Sequence, residues 1–521
     1  MLSLEWNFTR NLRGRNGLRT FLPPVAVVVL GSILLNSCVV KDSPVLDQWT
    51  VAIPEVGFAS SPRAIDLNAD GIQDIVIGAG GPEFNPTANG VTAIDGNNGS
   101  ILWAVPTRNQ IVGSAIFKDI TGDQVSDVFI GGRSAVLLAI DGSNGEIIWQ
   151  YLPDSDDLNL MDDTTLLNFF NPQFIPDVNG DHQEDLLVSF GGFVKAKPEE
   201  KNRPTGCLFI IDSQNGRLLK RLYMPDGAET YMSPVLQDLA EEGDLSIIFG
   251  SGGEKINGHL YRITLQAFLK DDLSQLQVLA DGRGKGFIAP PVLADVNQDG
   301  IQDIVVNPVN GNMVCLDGIS GTVLWEVSLD TTFEVYTTPA PGLFYGDDKI
   351  PDFFSSLGAG PWPDTRFTLQ ILIDGSNGNI VFSDTLGLFQ YASPVVFDYD
   401  QDGQDEILLA INDQRILTDI SKTAKFYVNE LSVLEFSNYT YTRLGATRLG
   451  SNLGATPLLT DLDDDHRLDI IYGYMEDANH FYSFKNGKID RFELDIPVNK
   501  TLPWGTYMGR NYRGVYVNDV R

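Results

Sequence analysis

Cysteine is almost missing from this chain, with three copies (Cys38, Cys207 and Cys315) among 521 residues. That number excludes a disulfide-stapled scaffold, and Cys207 and Cys315 read as small buried apolar residues. Histidine is nearly as scarce, with four copies, and no two of them stand at the spacing of a zinc-binding pair. Positive charge is the third shortage. Thirty-six Lys and Arg face 69 Asp and Glu, a formal net charge of -33, so the clustered cations that neutralise nucleic-acid phosphates are lacking. The one long apolar run spans residues 21 to 35. Its length of about 15 residues, broken by Pro23 and Pro24, is short for a membrane span.

What the chain has instead is one acidic pattern, repeated. Asp66, Asn68 and Asp70 alternate with other residues, Gly71 follows, and Asp74 comes three residues later. Three oxygen side chains at alternate positions, a glycine for the bend and a further carboxylate are what a hard cation such as Ca2+ requires of a short loop. Ile77 stands where an EF-hand would place its closing glutamate, so Asp74 is expected to complete the coordination with the Ile72 carbonyl. Further copies are Asp119, Thr121, Asp123 and Asp127; Asp177, Asn179, Asp181 and Asp185; and Asp295, Asn297, Asp299 and Asp303. Two more are Asp398, Asp400, Asp402 and Glu406, and Asp461, Asp463, Asp465 and Asp469. That makes up to six well-formed Ca2+ sites. Worn copies fall at Asp238 to Asp244 and at Gly346 to Asp352. The sixth position of each loop calls for a left-handed backbone, which Gly71, Gly300 and Gly403 adopt freely. His182 and His466 occupy that position too, and read as backbone choices, since histidine tolerates the region.

Counting the worn copies, eight units recur about 50 to 60 residues apart, the length of one four-stranded propeller blade. A fixed repeat overrides the expectation of several domains, because each unit buries its faces only against its neighbours. The expected fold is all-β, an eight-bladed β-propeller of four-stranded antiparallel blades, with a seven-bladed ring as the alternative. A second signature supports it. Asp95 and Gly96 precede Trp103, Asp141 and Gly142 precede Trp149, and Asp317 and Gly318 precede Trp325, with weaker copies at Asp212 to Gly216 and Asp374 to Gly378. Asp-Gly and Asn-Gly supply the positive φ of tight hairpins.

The acidic loop running into Ile77, Gly78, Ala79, Gly80, Gly81 and Pro82 resembles the FG-GAP/VCBS repeat of integrin α-subunit propellers and many secreted bacterial proteins. The pattern from Ala93 to Trp103 resembles the tryptophan-docking motif of PQQ-type quinoprotein propellers, in which an indole packs on the neighbouring blade. Together the motifs cover roughly residues 49 to 490. The resemblance implies the fold and the calcium loops; it does not imply an activity, because this scaffold hosts adhesins, enzymes and structural subunits alike.

At the amino terminus, Arg10, Arg13, Arg15 and Arg19 precede the apolar run, which ends in Leu35, Asn36, Ser37 and Cys38. This is the layout of a secretory signal, and it looks like a bacterial lipobox in which Cys38 is acylated. The expected organisation is a lipoprotein signal peptide over 1–37, a tether over 38–47, the propeller over 48–500 and an aromatic tail over 501–521 that packs back near the seam. Gln48 to Ile53 is expected to complete the last blade. The expected place is outside the cytoplasm, on a bacterial outer membrane or cell surface.

The expected function is that of a calcium-binding, envelope-anchored, non-enzymatic binding or scaffold protein. It would take a protein or glycan ligand on the face opposite the metal loops, reach the membrane through its lipid anchor, and bind no nucleic acid. The alternative is a carbohydrate-active enzyme such as a calcium-dependent polysaccharide lyase, because rhamnogalacturonan lyases are similar in architecture. Against it, no general acid and base pair is visible outside the acidic loops. A quinoprotein dehydrogenase is disfavoured because no adjacent cysteine pair is present. Lys195, Lys197, Lys201 and Arg203 form a basic spot that reads as a solvated loop, and Trp362 as either a contact residue or a ring packed on its own loop.

Overall fold

The structure, a computed structural model, describes residues 45–151, 167–193, 195–197, 200–239, 245–329, 332–361, 365–419, 422–498 and 502–517. The expected signal peptide, Cys38, most of the tether, much of the worn fourth loop and Trp362 lie outside these residues.

Inward-facing apolar runs alternate with Asp- and Gly-rich turns throughout, and such runs become strands that must be covered on both faces. In blade 1 (Arg63–Ile65, Asp74–Gly78, Thr87–Ile94, Ile101–Thr107) the second strand is buried at every residue, whereas the outermost buries Trp103, Val105 and Thr107 and exposes Ile101, Ala104 and Pro106. Stacking such units radially gives the architecture. The fold is an eight-bladed β-propeller: among the described residues the strands form eight antiparallel sheets, each a four-stranded meander. The innermost strand of blade 3 is split into Asn168–Phe169 and Gln173–Ile175, and that of blade 6 into Phe333–Glu334 and Ala340–Gly342. Blade 8 is closed by the two ends of the chain, Val45–Pro54 pairing with Asn486–Pro497 and placing Trp49 opposite Arg491.

The central channel is tied by a hydrogen-bonded ring that spans blades. Ser61 N donates to Ser114 Oγ at 3.0 Å, Ser114 N to Asn171 Oδ1 at 2.6 Å, and Asn171 N to Ser233 Oγ at 3.3 Å. Beyond blade 5, Thr338 N donates to Ser393 Oγ at 3.1 Å, Ser393 N to Thr456 Oγ1 at 3.0 Å, and Thr456 N back to Ser61 Oγ at 3.1 Å. Pro290 holds the equivalent place in blade 5, where it offers neither an N–H nor a hydroxyl.

Residues 502–517 run inside the channel. Val396 N donates to Trp504 O, Leu459 N to Gly505 O and Leu293 N to Gly514 O, while Gln173 Nε2 donates to Tyr512 O. Trp504, Met508 and Tyr516 are buried. The tail thus touches inner strands well beyond the seam, because an apolar-lined channel offers it far more area than one blade edge.

Candidate metal centres

Each acidic loop joins the first and second strands of its blade and coils around its first aspartate. Ala69 N and Gly71 N donate to Asp66, Gly122 N and Gln124 N to Asp119, and Gly180 N and His182 N to Asp177. Asp295, Asp398 and Asp461 accept in the same way from Gly300, Gly403 and His466. These backbone N–H groups hold the Asp119 and Asp177 carboxyls below the usual range. The sixth position is left-handed, with φ of 88° at Gly71, 74° at Gln124, 72° at His182 and 68° at His466. Both histidines therefore hold places fixed by backbone geometry.

The outer positions form an open oxygen cup. Asn68, Asp70, Asp123, Asn179, Asp181, Asp299, Asp400, Asp402 and Asp465 accept backbone N–H groups two residues ahead. In the seventh loop Asp398, Asp400 and Glu406 bring ligand oxygens within 4.8 Å of one another, and in the eighth Asp461, Asp463 and Asp465 do the same. Oxygens so spaced can surround a cation with bonds of about 2.3–2.6 Å. Asp463 Oδ1 and Asp185 Oδ1 are buried atoms without a hydrogen-bond partner, which a cation would satisfy. The donor set fits Ca2+ in these loops. The first, second, third and fifth loops carry Asn68, Thr121, Asn179 and Asn297 in the third position, one charge fewer.

The ninth position has a second occupation that the spacing alone does not reveal. Asp74 is fully buried; its Oδ2 accepts from Leu67 N at 2.9 Å and its Oδ1 from Gly96 N at 3.1 Å. Asp127, Asp303 and Asp352 repeat this with Gly142, Gly318 and Gly375. The carboxylate thus pins the metal loop to the Asp-Gly turn of its own blade. The carbonyl of the same glycine binds the preceding blade: Trp49 Nε1 donates to Gly96 O, Trp103 to Gly142 O and Trp325 to Gly375 O, at 2.9, 2.8 and 2.7 Å. A Cβ on Gly96 would collide with the Gln73 carbonyl oxygen and one on Gly99 with the Trp49 indole, so both glycines are required. Trp149 makes the matching bond to Ser213 O at 2.7 Å.

Where one part of this tie changes, the others change with it. In blade 4 a leucine, Leu245, pairs with Asp238 where the other blades pair a carboxylate, and the helix Leu265–Leu269 replaces the turn. Arg262 then reaches Gly318 O and Ile319 O of blade 5 in place of an indole. In blade 8, where no turn joins the outer strands, Arg491 Nε donates to Asp469 Oδ1 at 2.8 Å. The sixth loop separates the two roles of the ninth position. Phe344 and Gly346 replace its first and third ligands, yet Asp352 still accepts from Phe344 N, Tyr345 N and Gly375 N.

Burial pushes these ninth-position carboxyls up, to about 6 at Asp74, Asp185 and Asp469, about 7 at Asp352 and about 8 at Glu406. A folded-state pKa above the unfolded one means that folding retains a proton, so the stability it contributes is full below about pH 4 and is lost as pH rises towards 7. Asp352 has no metal cup above it and gives the clean test: Asp352→Asn should flatten the fall in melting temperature between pH 4 and 7. Parallel curves for the two proteins would show that Asp352 does not titrate there.

Other predicted features resolve simply. Cys207 and Cys315 are buried free thiols. In the basic spot, Lys195 stacks on Phe84 at 4.5 Å and Arg203 pairs with buried Glu229 at 2.7 Å. The hydroxyl ring was missed, although Pro62, Pro172, Pro234, Pro339, Pro394 and Pro457, each following a ring residue, mark it in the sequence.

Among proteins of known family, a family described as the FAM234A/B beta-propeller matches residues 81–198. No curated protein matches the chain by sequence. The fold is similar to that of rhamnogalacturonan lyase YesW, at 14% identity and a TM-score of 0.53, over 92% of this chain and 80% of that one. It is similar also to exotype rhamnogalacturonan lyase YesX, at 14% identity and a TM-score of 0.50, over 87% of this chain and 74% of that one. Quinohemoprotein alcohol dehydrogenase from Comamonas testosteroni matches at 12% identity and a TM-score of 0.49, over 86% of this chain and 76% of that one. At such identities the likeness is one of fold alone.

Proposed function

We infer that this chain is a calcium-stabilised FG-GAP-like propeller, exported and held on a bacterial envelope through Cys38, that binds a protein or glycan partner without catalysing a reaction. The observation that carries the binding role is the division of the ring into two unlike faces. One face holds the acidic loops and their turns, all engaged in tying blades together. The other carries Phe170, Tyr231, Tyr391 and Phe481, half-buried rings of which Tyr391 packs on the buried Tyr336 and Phe389, aromatic surface of the kind that partners bury. The anchor rests on the basic and apolar lead-in to Cys38, and fatty-acid labelling lost in Cys38→Ala tests it.

Calcium would act on stability, since binding to the folded state alone adds about 2.7 kcal/mol per site held at 100 times its Kd. Removing calcium with a chelator is therefore expected to lower the melting temperature by several degrees, with Asp463→Ala reducing the bound calcium by one ion. An unchanged melt and an unchanged metal content would reject the calcium reading. Unsaturated product released from an acidic polysaccharide by the purified chain would reject the non-enzymatic one.

A further inference from the structure

Two residues after each member of the hydroxyl ring, or after Pro290 in its place, the innermost strand of the blade begins, or its second part where it is split. In blades 2 to 8 that position holds an uncharged residue, apolar as at Ile116, Val235 and Leu458, or Gln173 in blade 3. In blade 1 it holds Arg63. The position looks into the channel. Gln173 reaches Tyr512 O there, and a Cβ on Gly514 would strike Val235. Arg63 is therefore the single cation at this level of the channel wall, and it is 1% exposed.

The contacts of its guanidinium are one-sided. Nη1 donates to Thr506 Oγ1 at 3.3 Å, the Tyr512 ring centre lies 3.6 Å from the guanidinium carbon, and the Tyr507 ring centre lies 6.0 Å from it. These contacts take up one face and one nitrogen. Nε is buried and meets no acceptor, and among the described residues Nη2 donates to none and no carboxylate pairs with Arg63. The Nε–H and one Nη2–H point the same way along one edge of the plane, the fork with which arginine grips an anion. Burial lowers the pKa only to about 10, so the group keeps its charge at neutral pH. Stacking on the tyrosines returns part of the cost of burying that charge. A water at the fork would accept the hydrogen bonds but leave the charge uncompensated, whereas an anion answers both. The tail that covers Arg63 is itself buried at Trp504, Thr506 and Met508, an enclosure that suits a monatomic ion better than an organic acid.

We propose that the channel binds one chloride ion, held at the Nε and Nη2 fork of Arg63 beneath the C-terminal segment. The site depends neither on the calcium loops nor on the partner-binding face. The full chain, calcium-loaded, is melted in sodium chloride and in sodium methanesulfonate at equal ionic strength, and crystals soaked in bromide are measured at the bromine absorption edge. Expected is a melting temperature about 2 °C or more higher in chloride, a difference that vanishes in Arg63→Met, and an anomalous bromide peak within hydrogen-bond reach of Arg63 Nε. Should Arg63→Met fail to fold, Arg63→Lys, which keeps the charge and loses the fork, is expected to shrink the difference between the two salts. Equal melting in both salts, a chloride effect that survives undiminished in the Arg63 variant, or a bromide map without a peak at Arg63 each overturns the proposal, water then being what meets the fork.

Discussion

Changing Arg491 to methionine is expected to lower the stability of the ring by about 3–5 kcal/mol, the range for a buried ion pair that loses one partner. Arg491 sits on the inner strand of the seam, its side chain 2% exposed. Its Nε donates to Asp469 at 2.8 Å and its Nη2 to Asp463 at 2.9 Å, and its Nη1 reaches Gly96 O of blade 1 at 3.4 Å. Burial alone would lower its pKa, but Asp469 and Asp463 hold it above the ordinary value. In blades 1, 2, 5 and 6 the ninth-position carboxylate takes an N–H from the Asp-Gly turn of its own blade. At the seam the outer strand comes from the far end of the chain; its Trp49 still makes the indole bond to Gly96 O at 2.9 Å, while the Arg491 guanidinium takes the place of the missing turn N–H on Asp469. Methionine fills the volume but leaves Asp469 and Asp463 without their cation. Lysine should recover only part of the loss, because an ammonium cannot fork to three acceptors in fixed directions. Urea unfolding followed by tryptophan fluorescence measures this, and a loss under about 1 kcal/mol would refute the role assigned to Arg491.

The number of blades was legible in the sequence because each blade carries two independent punctuation marks, the acidic loop and the Asp-Gly turn, and the worn loops at Asp238 and Gly346 keep the spacing of the rest. The left-handed sixth position was legible as well at its glycines and histidines, which share little except a tolerance for that backbone, whereas Gln124, which adopts it too, carries no such mark. The double duty of the ninth carboxylate was not. Cation ligation and acceptance of backbone N–H groups call for the same residue at the same spacing, and only the sixth loop, with Asp352 in place and Phe344 and Gly346 where ligands would be, tells them apart. Blade 4 shows the same ambiguity. Its loop looks like eroded metal chemistry, whereas Leu245 and the helix Leu265–Leu269 are two halves of one replaced tie. The hydroxyl ring and the tyrosines of the opposite face were hidden for another reason. Ser61, Ser114 and Asn171, or Tyr231, Tyr336 and Tyr391, are single residues a blade apart; a proline follows most of the ring residues, but only ring closure turns that period into a contact.

Replacing Trp504 with alanine should be about as costly as the loss of Arg491, about 3–5 kcal/mol for a fully enclosed tryptophan. Trp504 is 0% exposed and lies against blade 7, where Val396 N donates to its carbonyl at 3.0 Å. Gly509 is left-handed beneath it, and a Cβ there would strike the indole. The tail that Trp504 begins also holds Arg63, a buried cation whose guanidinium lies 3.6 Å from the centre of the Tyr512 ring and donates to Thr506 Oγ1 at 3.3 Å. Burial lowers its pKa to about 10, so the contacts from Tyr512 and Thr506 are what make its place in the channel tolerable. Loss of the indole should loosen the whole segment and expose Arg63 to water, where it no longer needs them. Two measurements follow from that order of events. Trp504→Ala should lower the urea midpoint and also open the tail to protease under native conditions, while Tyr512→Ala, which leaves the anchor in place, should lower the midpoint by less and leave the tail protected. If Trp504→Ala destabilised the ring but kept the tail resistant, Trp504 would be packing the blades alone, and the channel segment would be held by its backbone bonds to Leu293, Val396 and Leu459.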